Sequence, residues 1–341
     1  MFYLKYRPRN IEEIDNVRVK NIIKKILAVS ELPHAILLVG PKGTGKTSTA
    51  RIFAKAINCQ HPVGGEPCNQ CINCLSINTS SSTDVLEMDA ASNRGIEEVK
   101  NLIKETAFLP MTAKYRVFII DEAHMITTDG FNALLKTLEE PPGSAIFILA
   151  TTNPEKLPKT IISRCVKINF GLAQKADILR MLKRIAAGEK ISLPDEMYTL
   201  ISTNAEGSFR DAAKILEELM MQKIKTIAEA EAFLGISGKN GLLEIVAQGD
   251  IKKSLEWINE FSQNGGNFKN LIGDLLDELR LVLLAKKGLA VEDVPQTVLT
   301  TNQTVMLIKL LMEAYQNLRS TPIESLPLEI AIAEFYNKKS S

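Results

Sequence analysis

The chain has 341 residues, 45% of them hydrophobic and 24% charged, and its 41 basic and 40 acidic side chains leave a formal net charge of +1. Such a length is long for a single core and implies two or three domains, while the near-cancelled charge excludes a generally basic nucleic-acid binder, so such contacts must come from a local patch. No apolar run approaches the ~20 residues that cross a bilayer, the N-terminus lacks the apolar core of a signal peptide, and the expectation is a cytoplasmic protein with no membrane partner.

In chain order, the first strong element is an apolar strand, Ala35–Val39. It runs directly into Gly40, Pro41, Lys42, Gly43, Thr44, Gly45, Lys46 and Thr47, the complete pattern of a phosphate-binding loop. A helix must open just after such a loop so that its unpaired N–H groups point at the phosphates. The stretch Thr47–Ile57 supplies one, with Ala50, Ile52, Phe53, Ala56 and Ile57 available for its buried side. Lys46 would reach the β- and γ-phosphates and the Thr47 hydroxyl would ligate Mg²⁺. The chain therefore reads as a binder of a nucleoside triphosphate.

Four of the five cysteines, Cys59, Cys68, Cys71 and Cys74, follow at C-x8-C-x2-C-x2-C spacing in a segment rich in Gly, Pro and Asn. In a reducing compartment four thiolates so spaced can close a tetrahedron around Zn²⁺; disulfides are the rival reading and belong to secreted chains. His61 could replace one thiolate, but four cysteines already fill the shell and leave no position for water, so the zinc would be structural. The segment reads as an insertion whose disorder would leave the ATP site largely intact. Cys165 stands alone and reads as a small buried residue.

Further β-rich runs at Val85–Asp89, Arg116–Asp121, Ile146–Ala150 and Val166–Phe170 alternate with helical stretches. Nearly continuous apolar strands between helices indicate a parallel sheet covered on both faces. The third strand delivers Asp121 and Glu122 to the sheet edge that carries the phosphate loop. One carboxylate can hold Mg²⁺ through water and the next can activate the attacking water, so the pair argues for hydrolysis and against a merely solvated strand end. His124 reads only as a polar residue at a strand-to-loop junction.

After Phe170 no strand is expected. Residues 173–232 read as short helices, such as Ala176–Ala187, and the chain is helical again from about 236. Leu271, Ile272, Leu275, Leu276 and Leu279 form one amphipathic stripe and Val305, Ile308, Leu311 and Tyr315 another, both read as packing faces. Turn signals stand at Lys239–Gly241 and Asn264–Asn267.

The order of Tyr6-Arg7-Pro8, the phosphate loop, the four cysteines, Asp89–Gly95, Ile120–His124, Asn132–Pro142, Leu149–Thr152 and Ser163–Cys165 resembles the γ/τ family of bacterial DNA polymerase III subunits, the ATPases of the sliding-clamp loader. The likeness is dense from about residue 3 to residue 215 and thins to a general helical pattern beyond. It implies an α/β AAA+ P-loop domain over 1–172 with a five-stranded parallel sheet and a zinc-binding insertion at about 59–80. A helical lid over 173–235 and an all-α collar over 236–341 would follow, the collar building a pentameric ring with δ, δ′ and further γ/τ copies.

The resemblance also implies residue roles. Tyr6, Arg7 and Pro8 would border the adenine pocket, and Ser48 would join the loop in holding ATP. Thr152, just past a fourth strand lying between the first and third, would sense the γ-phosphate. Arg164 would reach into a neighbouring subunit's ATP, and Arg210 would touch the γ-phosphate of its own. Arg94 and Lys100 would contact phosphates of primed DNA while the ring loads the β sliding clamp. The family is catalogued with DNA-directed DNA polymerase, a transferase, as a holoenzyme subunit, yet no polymerase centre is visible in this chain.

One departure concerns the base pocket. The family's Val-x-Gly-Gln box stands here as Ile14, Asp15, Asn16 and Val17, so Gly and Gln are missing. The family's long form continues into segments that bind the replicative helicase and the polymerase, whereas this sequence ends at Ser341. Two other readings are a branch-migration type of AAA+ ATPase and a non-hydrolysing structural subunit of the same ring. The cysteine insertion with Ser163–Cys165 speaks against the first, and the full set Lys46, Thr47, Asp121 and Glu122 against the second.

Overall fold

The computed structural model of the chain describes residues 1–93, 95–234, 241–263, 265–289, 298–318 and 320–339. These form two compact units, residues 1–223 and 224–341.

The first unit is built on five parallel strands: β1 (Ala35–Val39), β2 (Val85–Asp89), β3 (Arg116–Asp121), β4 (Ala145–Thr151) and β5 (Val166–Asn169). Their order across the sheet is β2-β3-β4-β1-β5. β4 thus lies between β1 and β3, as the resemblance implied; it extends one residue past each expected end, and β5 stops one residue short of Phe170.

Residue alternation sorts the strands' side chains between two cores. Leu37, Phe118, Ile120, Phe147 and Leu149 face one side, where Val99, Leu102, Phe131, Leu134 and Leu138 cover them. Ile36, Leu38, Val117, Ile119, Ile146 and Ile148 face the other, beneath Val19, Ile23, Ile52 and Phe53. Full burial of such side chains contributes about 1.5–3 kcal/mol each, which explains why strands buried on both faces need almost unbroken apolar sequence.

Helices α1 (Phe2–Lys5), α2 (Val17–Leu27), α3 (Lys46–Asn58), α4 (Ile72–Asn78), α5 (Ile96–Glu105), α6 (Thr128–Glu139) and α7 (Lys159–Ile162) accompany the sheet. Asn16 caps α2 by accepting from Val19 N–H at 3.0 Å, and Thr127 caps α6 through Gly130 N–H at 3.3 Å. Three more helices, α8 (Lys175–Glu189), α9 (Asp195–Asn204) and α10 (Phe209–Met221), pack together in the same unit and bury Leu182, Ile185, Ile201, Ala212 and Leu216.

The second unit is helical throughout its described residues: α11 (Ile227–Phe233), α12 (Leu242–Gln248), α13 (Ile251–Gln263), α14 (Phe268–Lys286), α15 (Thr301–Asn317) and α16 (Leu326–Lys339). On α14 the expected stripe is buried at Leu271, Ile272, Leu275 and Leu279, with Leu276 at its margin. On α15 the expected stripe is corrected. Thr304, Leu307, Leu310, Leu311 and Ala314 are buried, whereas Tyr315 is exposed and Val305 and Ile308 are only half-buried. This helix carries apolar residues on two adjoining stripes, and the one with the small Thr304 and Ala314 admits closer packing. Of the two turn signals, Lys239, Asn240 and Asn264 lie outside the described residues. No described helix is long and apolar enough to cross a membrane.

Candidate nucleotide and metal sites

Strand register brings the chemistry to one edge. Val39 pairs with Thr151, and Gly40 N–H donates to Thr151 O at 3.2 Å, so the phosphate loop leaves β1 alongside the end of β4. Within the loop Gly43 and Gly45 take φ of +79° and +94°, a region where a side chain is strained. A methyl on Gly43 would also collide with Ser208, at the start of α10. Gly45 caps α3 without any side-chain partner for the helix's first turn, which leaves orphan N–H donors of the kind that bind phosphate.

Lys46 is 6% exposed, and its ammonium donates to the carbonyls of Gly40 and Pro41, each at 2.8 Å. Burial lowers its pKa, and the charges of Glu122 and Asp121 oppose that shift. Thr47 Oγ1 donates to Asp121 Oδ2 at 2.5 Å. A hydroxyl and a carboxylate so juxtaposed form the oxygen donor set that suits Mg²⁺.

Glu122 follows in the left-handed conformation, φ +47° and ψ +43°, which costs a non-glycine residue about 1–3 kcal/mol. Its N–H donates to Asp121 Oδ1 at 2.9 Å. Its carboxylate accepts from Thr152 Oγ1 at 3.2 Å and stands 3.4 Å from His124 Nδ1. His124 Nδ1 is also 3.1 Å from Thr151 Oγ1. The structure therefore joins Thr47, Asp121, Glu122 and Thr152 in one cluster, and it adds His124, which the sequence reading set aside.

The loop forms one end of a cleft lined also by Tyr6, Arg7, Pro8, Ser48, Lys42 and Arg210. Arg210 N–H donates to Gly43 O at 3.4 Å, and its guanidinium lies 5.7 Å from the Tyr3 ring centre. Burial, together with the nearby Arg51, lowers the pKa of Arg7. Tyr6 packs flush against Gly188 of α8, and Lys5 pairs with Glu189 at 2.5 Å. The other end of the cleft is apolar, with Ile14, Ile52, Met181 and Ile185, and carries Asp15 and Asn16. Asn16 spends both ends of its amide internally, on Val19 N–H and on Phe170 O. Asp15 pairs with Arg184 of α8 at 3.0 Å, yet burial outweighs the pair and pushes the carboxyl up to about 6.

Cys59, Cys68, Cys71 and Cys74 bring their sulfurs within 4.8 Å of one another. Tetrahedral Zn–S bonds of about 2.3 Å place sulfurs about 3.8 Å apart, so the tetrad fits the ion with small adjustment. Backbone N–H groups of Gln70 and Cys71 point at the Cys68 sulfur and bring its pKa down to about 6, whereas burial pushes the thiols of Cys59 and Cys74 up. His61 is not part of the cluster among the described residues. Cys165 is half-buried, and burial pushes its thiol up to about 11.

Residues expected to act elsewhere stand apart from the cleft. Arg164 lies at the surface, donating to Thr160 O at 2.7 Å and pairing with Glu139 at the end of α6. Lys100 is solvated on α5 and pairs with Glu97 at 3.3 Å, and Arg94 lies outside the described residues.

Lys55 was missed by the sequence reading. It is 2% exposed on α3, and its ammonium donates to Arg9 O (2.7 Å), Asn69 Oδ1 (2.7 Å) and Asn78 Oδ1 (2.8 Å). Its signal was faint, an interior helical lysine beside the buried Phe53 and Ala54. It ties the cysteine insertion to its surroundings. The insertion is hydrogen-bonded both to the helix that follows the phosphate loop and to the segment beside the cleft.

The family model described as DNA polymerase III, delta subunit, matches residues 16–174. Among curated proteins, the chain is 38% identical to DNA polymerase III subunit tau of Bacillus subtilis over 87% of this chain and 54% of that protein. It is 37% identical to the gamma/tau subunit of Mycoplasma genitalium over 81% and 47% of the two chains. To the gamma subunit of Buchnera aphidicola subsp. Schizaphis graminum it is 35% identical over 83% and 79%. The chain thus spans about half the length of the first two relatives. Among solved structures, the RuvB Holliday junction branch migration motor of Thermotoga maritima aligns with a TM-score of 0.51 at 18% identity, over 72% of this chain and 80% of that one. The shared feature is the AAA+ P-loop fold.

Proposed function

The chain belongs to the γ/τ family of bacterial DNA polymerase III subunits, and from that premise we propose that it is an ATP-hydrolysing subunit of the sliding-clamp loader. The observation that carries the reading is the cluster at the sheet edge, where Thr47, Asp121, Glu122 and Thr152 meet beside the phosphate loop.

In this reading Lys46, the loop and the first turn of α3 bind the triphosphate, and Arg210 adds a charge from α10. Mg²⁺ held by Thr47 and Asp121 supplies neutralisation of phosphate charge. Glu122 takes a proton from the attacking water. Thr152 and His124 fix the direction of its carboxylate, so its strained backbone conformation serves to aim it. Arg164 is directed at a neighbouring subunit's ATP, supported by its surface position away from its own cleft. Zn²⁺ on the four cysteines supplies a structural cross-link.

The lid would be residues 173–235 and the collar 236–341, the collar assembling a ring with δ, δ′ and further γ/τ copies. ATP binding closes that ring into a form that opens the β clamp and grips primed DNA through phosphates, and hydrolysis releases the clamp. The test is ATPase activity of the reconstituted ring with and without β clamp and primed DNA. Stimulation by both together is expected, and a rate indifferent to both would overturn the reading.

A further inference from the structure

Residues 9–13 connect two stretches of the cleft wall, Tyr6–Pro8 and Ile14–Asn16, and line none of the cleft themselves. Ile11 N–H and Asn10 Oδ1 are taken up by the cysteine insertion and Arg9 O by Lys55 of α3, while Arg9 N–H, Asn10 O and Ile11 O bond locally to Glu13 and Ile14. Val63 and Glu66 exchange backbone hydrogen bonds at 3.1 and 3.0 Å around Gly64 and Gly65, whose φ values are both positive, the geometry of a two-residue type I′ hairpin that only Gly-Gly and a few pairs enter easily. The hairpin carries the Glu66 carboxylate to Ile11 N–H at 2.7 Å. Asn69, held at φ +55° between Cys68 and Cys71, donates to Asn10 Oδ1 and accepts from Lys55. Lys55 in turn holds Arg9 O at 2.7 Å.

All three of these bonds originate inside the cysteine loop or on the helix that opens at Lys46. We propose that Glu66, Asn69 and Lys55 are positioning residues for the nucleotide, through which a tetrahedral metal ion on the four cysteines sets how tightly the cleft holds ATP. The proposal rests on the ATP reading above. Without the cross-link, the hairpin and Asn69 lose their fixed placement, Asn10 and Ile11 lose their bonds to the insertion, and the cleft wall on either side loosens. Coupling of this kind is reciprocal, so ATP must tighten the metal by the same factor that the metal tightens ATP.

The experiment uses the full chain loaded with zinc, a fluorescent ATP analogue for nucleotide affinity and a competing chromogenic chelator for metal affinity. Glu66→Ala should raise both Kd and KM for ATP roughly tenfold, the scale of one charge-assisted hydrogen bond, while kcat and a metal content of one per chain are retained. Glu66→Gln should restore part of the affinity, because its amide oxygen still accepts from Ile11 N–H without the charge. In the unaltered protein the ATP analogue should raise zinc affinity by the same factor that zinc raises affinity for the analogue, a measurement that needs no variant to fold. Wild-type affinity in Glu66→Ala, or zinc affinity indifferent to the analogue, would overturn the coupling. Failure of zinc-loaded wild-type protein to bind the analogue at all would instead overturn the ATP reading.

Discussion

Replacing Asp15 with Asn should stabilise the first unit near neutral pH and lose that advantage in acid. The Asp15 side chain is 11% exposed and its partner Arg184 is 35% exposed. Burial therefore removes water from the carboxylate more completely than from the guanidinium, and the ion pair does not make up the difference. The carboxyl rises from 3.8 to about 6. A folded-state pKa above the unfolded value means that the folded form binds the proton more tightly, so stability from this group is present at low pH and is lost as pH rises through about 6. With those two values the ionised carboxylate disfavours folding by about 3 kcal/mol near pH 7.5 and about 1 kcal/mol near pH 4.5. Asn imitates the neutral acid and escapes this dependence. Its advantage over the wild type should fall by about 2 kcal/mol between the two pH values, other carboxylates cancelling in the comparison. Urea titration followed by far-UV circular dichroism reads the change. Trp257, the sole tryptophan, lies in the second unit and identifies that unit's transition by fluorescence. A stability difference that stays constant across this range would refute the argument that burial dominates the pair.

Three further outcomes are expected. Glu122→Gln should keep ATP affinity and lose at least about 10²-fold in hydrolysis, the contribution of a positioned general base, whereas Lys46→Ala should lose binding itself; equal hydrolysis by Glu122→Gln in a steady-state ATPase assay would remove Glu122 from its role. Arg164→Ala should leave each subunit's own ATP binding unchanged and abolish turnover at the adjoining site, so mixed rings must show the defect in the neighbour, and a defect confined to the altered subunit would make Arg164 structural. Elemental analysis should find one zinc per chain, retained in Cys165→Ser and lost in Cys71→Ser; zinc-free native protein would dismiss the tetrad as a metal site.

The five strands and the phosphate loop were legible because a sheet buried on both faces demands apolar runs, and the loop's glycines and lysine stand at fixed offsets from one of them. The double acid was legible for the same reason, as polar residues ending a run of Val117, Phe118, Ile119 and Ile120. Lys55 was not, because a lysine in a helix reads as solvated until its acceptors are known, and Arg9 O lies 46 residues away. Asp15 and Arg184 meet across 169 residues, a pairing that no local pattern carries. The left-handed backbone of Glu122 had no signal at all, since glutamate is not a residue that announces positive φ. On α15 the periodicity was real but doubled, and only the partner helices choose between two apolar stripes.

The Arg164–Glu139 pair bears on how readily a ring of such subunits could switch. Both side chains are substantially open to water, 32% and 49% exposed. Ion pairs in such settings contribute at most about 1 kcal/mol, because solvent screens the attraction and two long side chains must be held still. Under the proposed role of Arg164, Glu139 would serve as a resting partner at the surface that a triphosphate, with its denser charge, displaces easily. The Thr160 carbonyl, which also accepts from Arg164, would limit how far the arm swings loose in between.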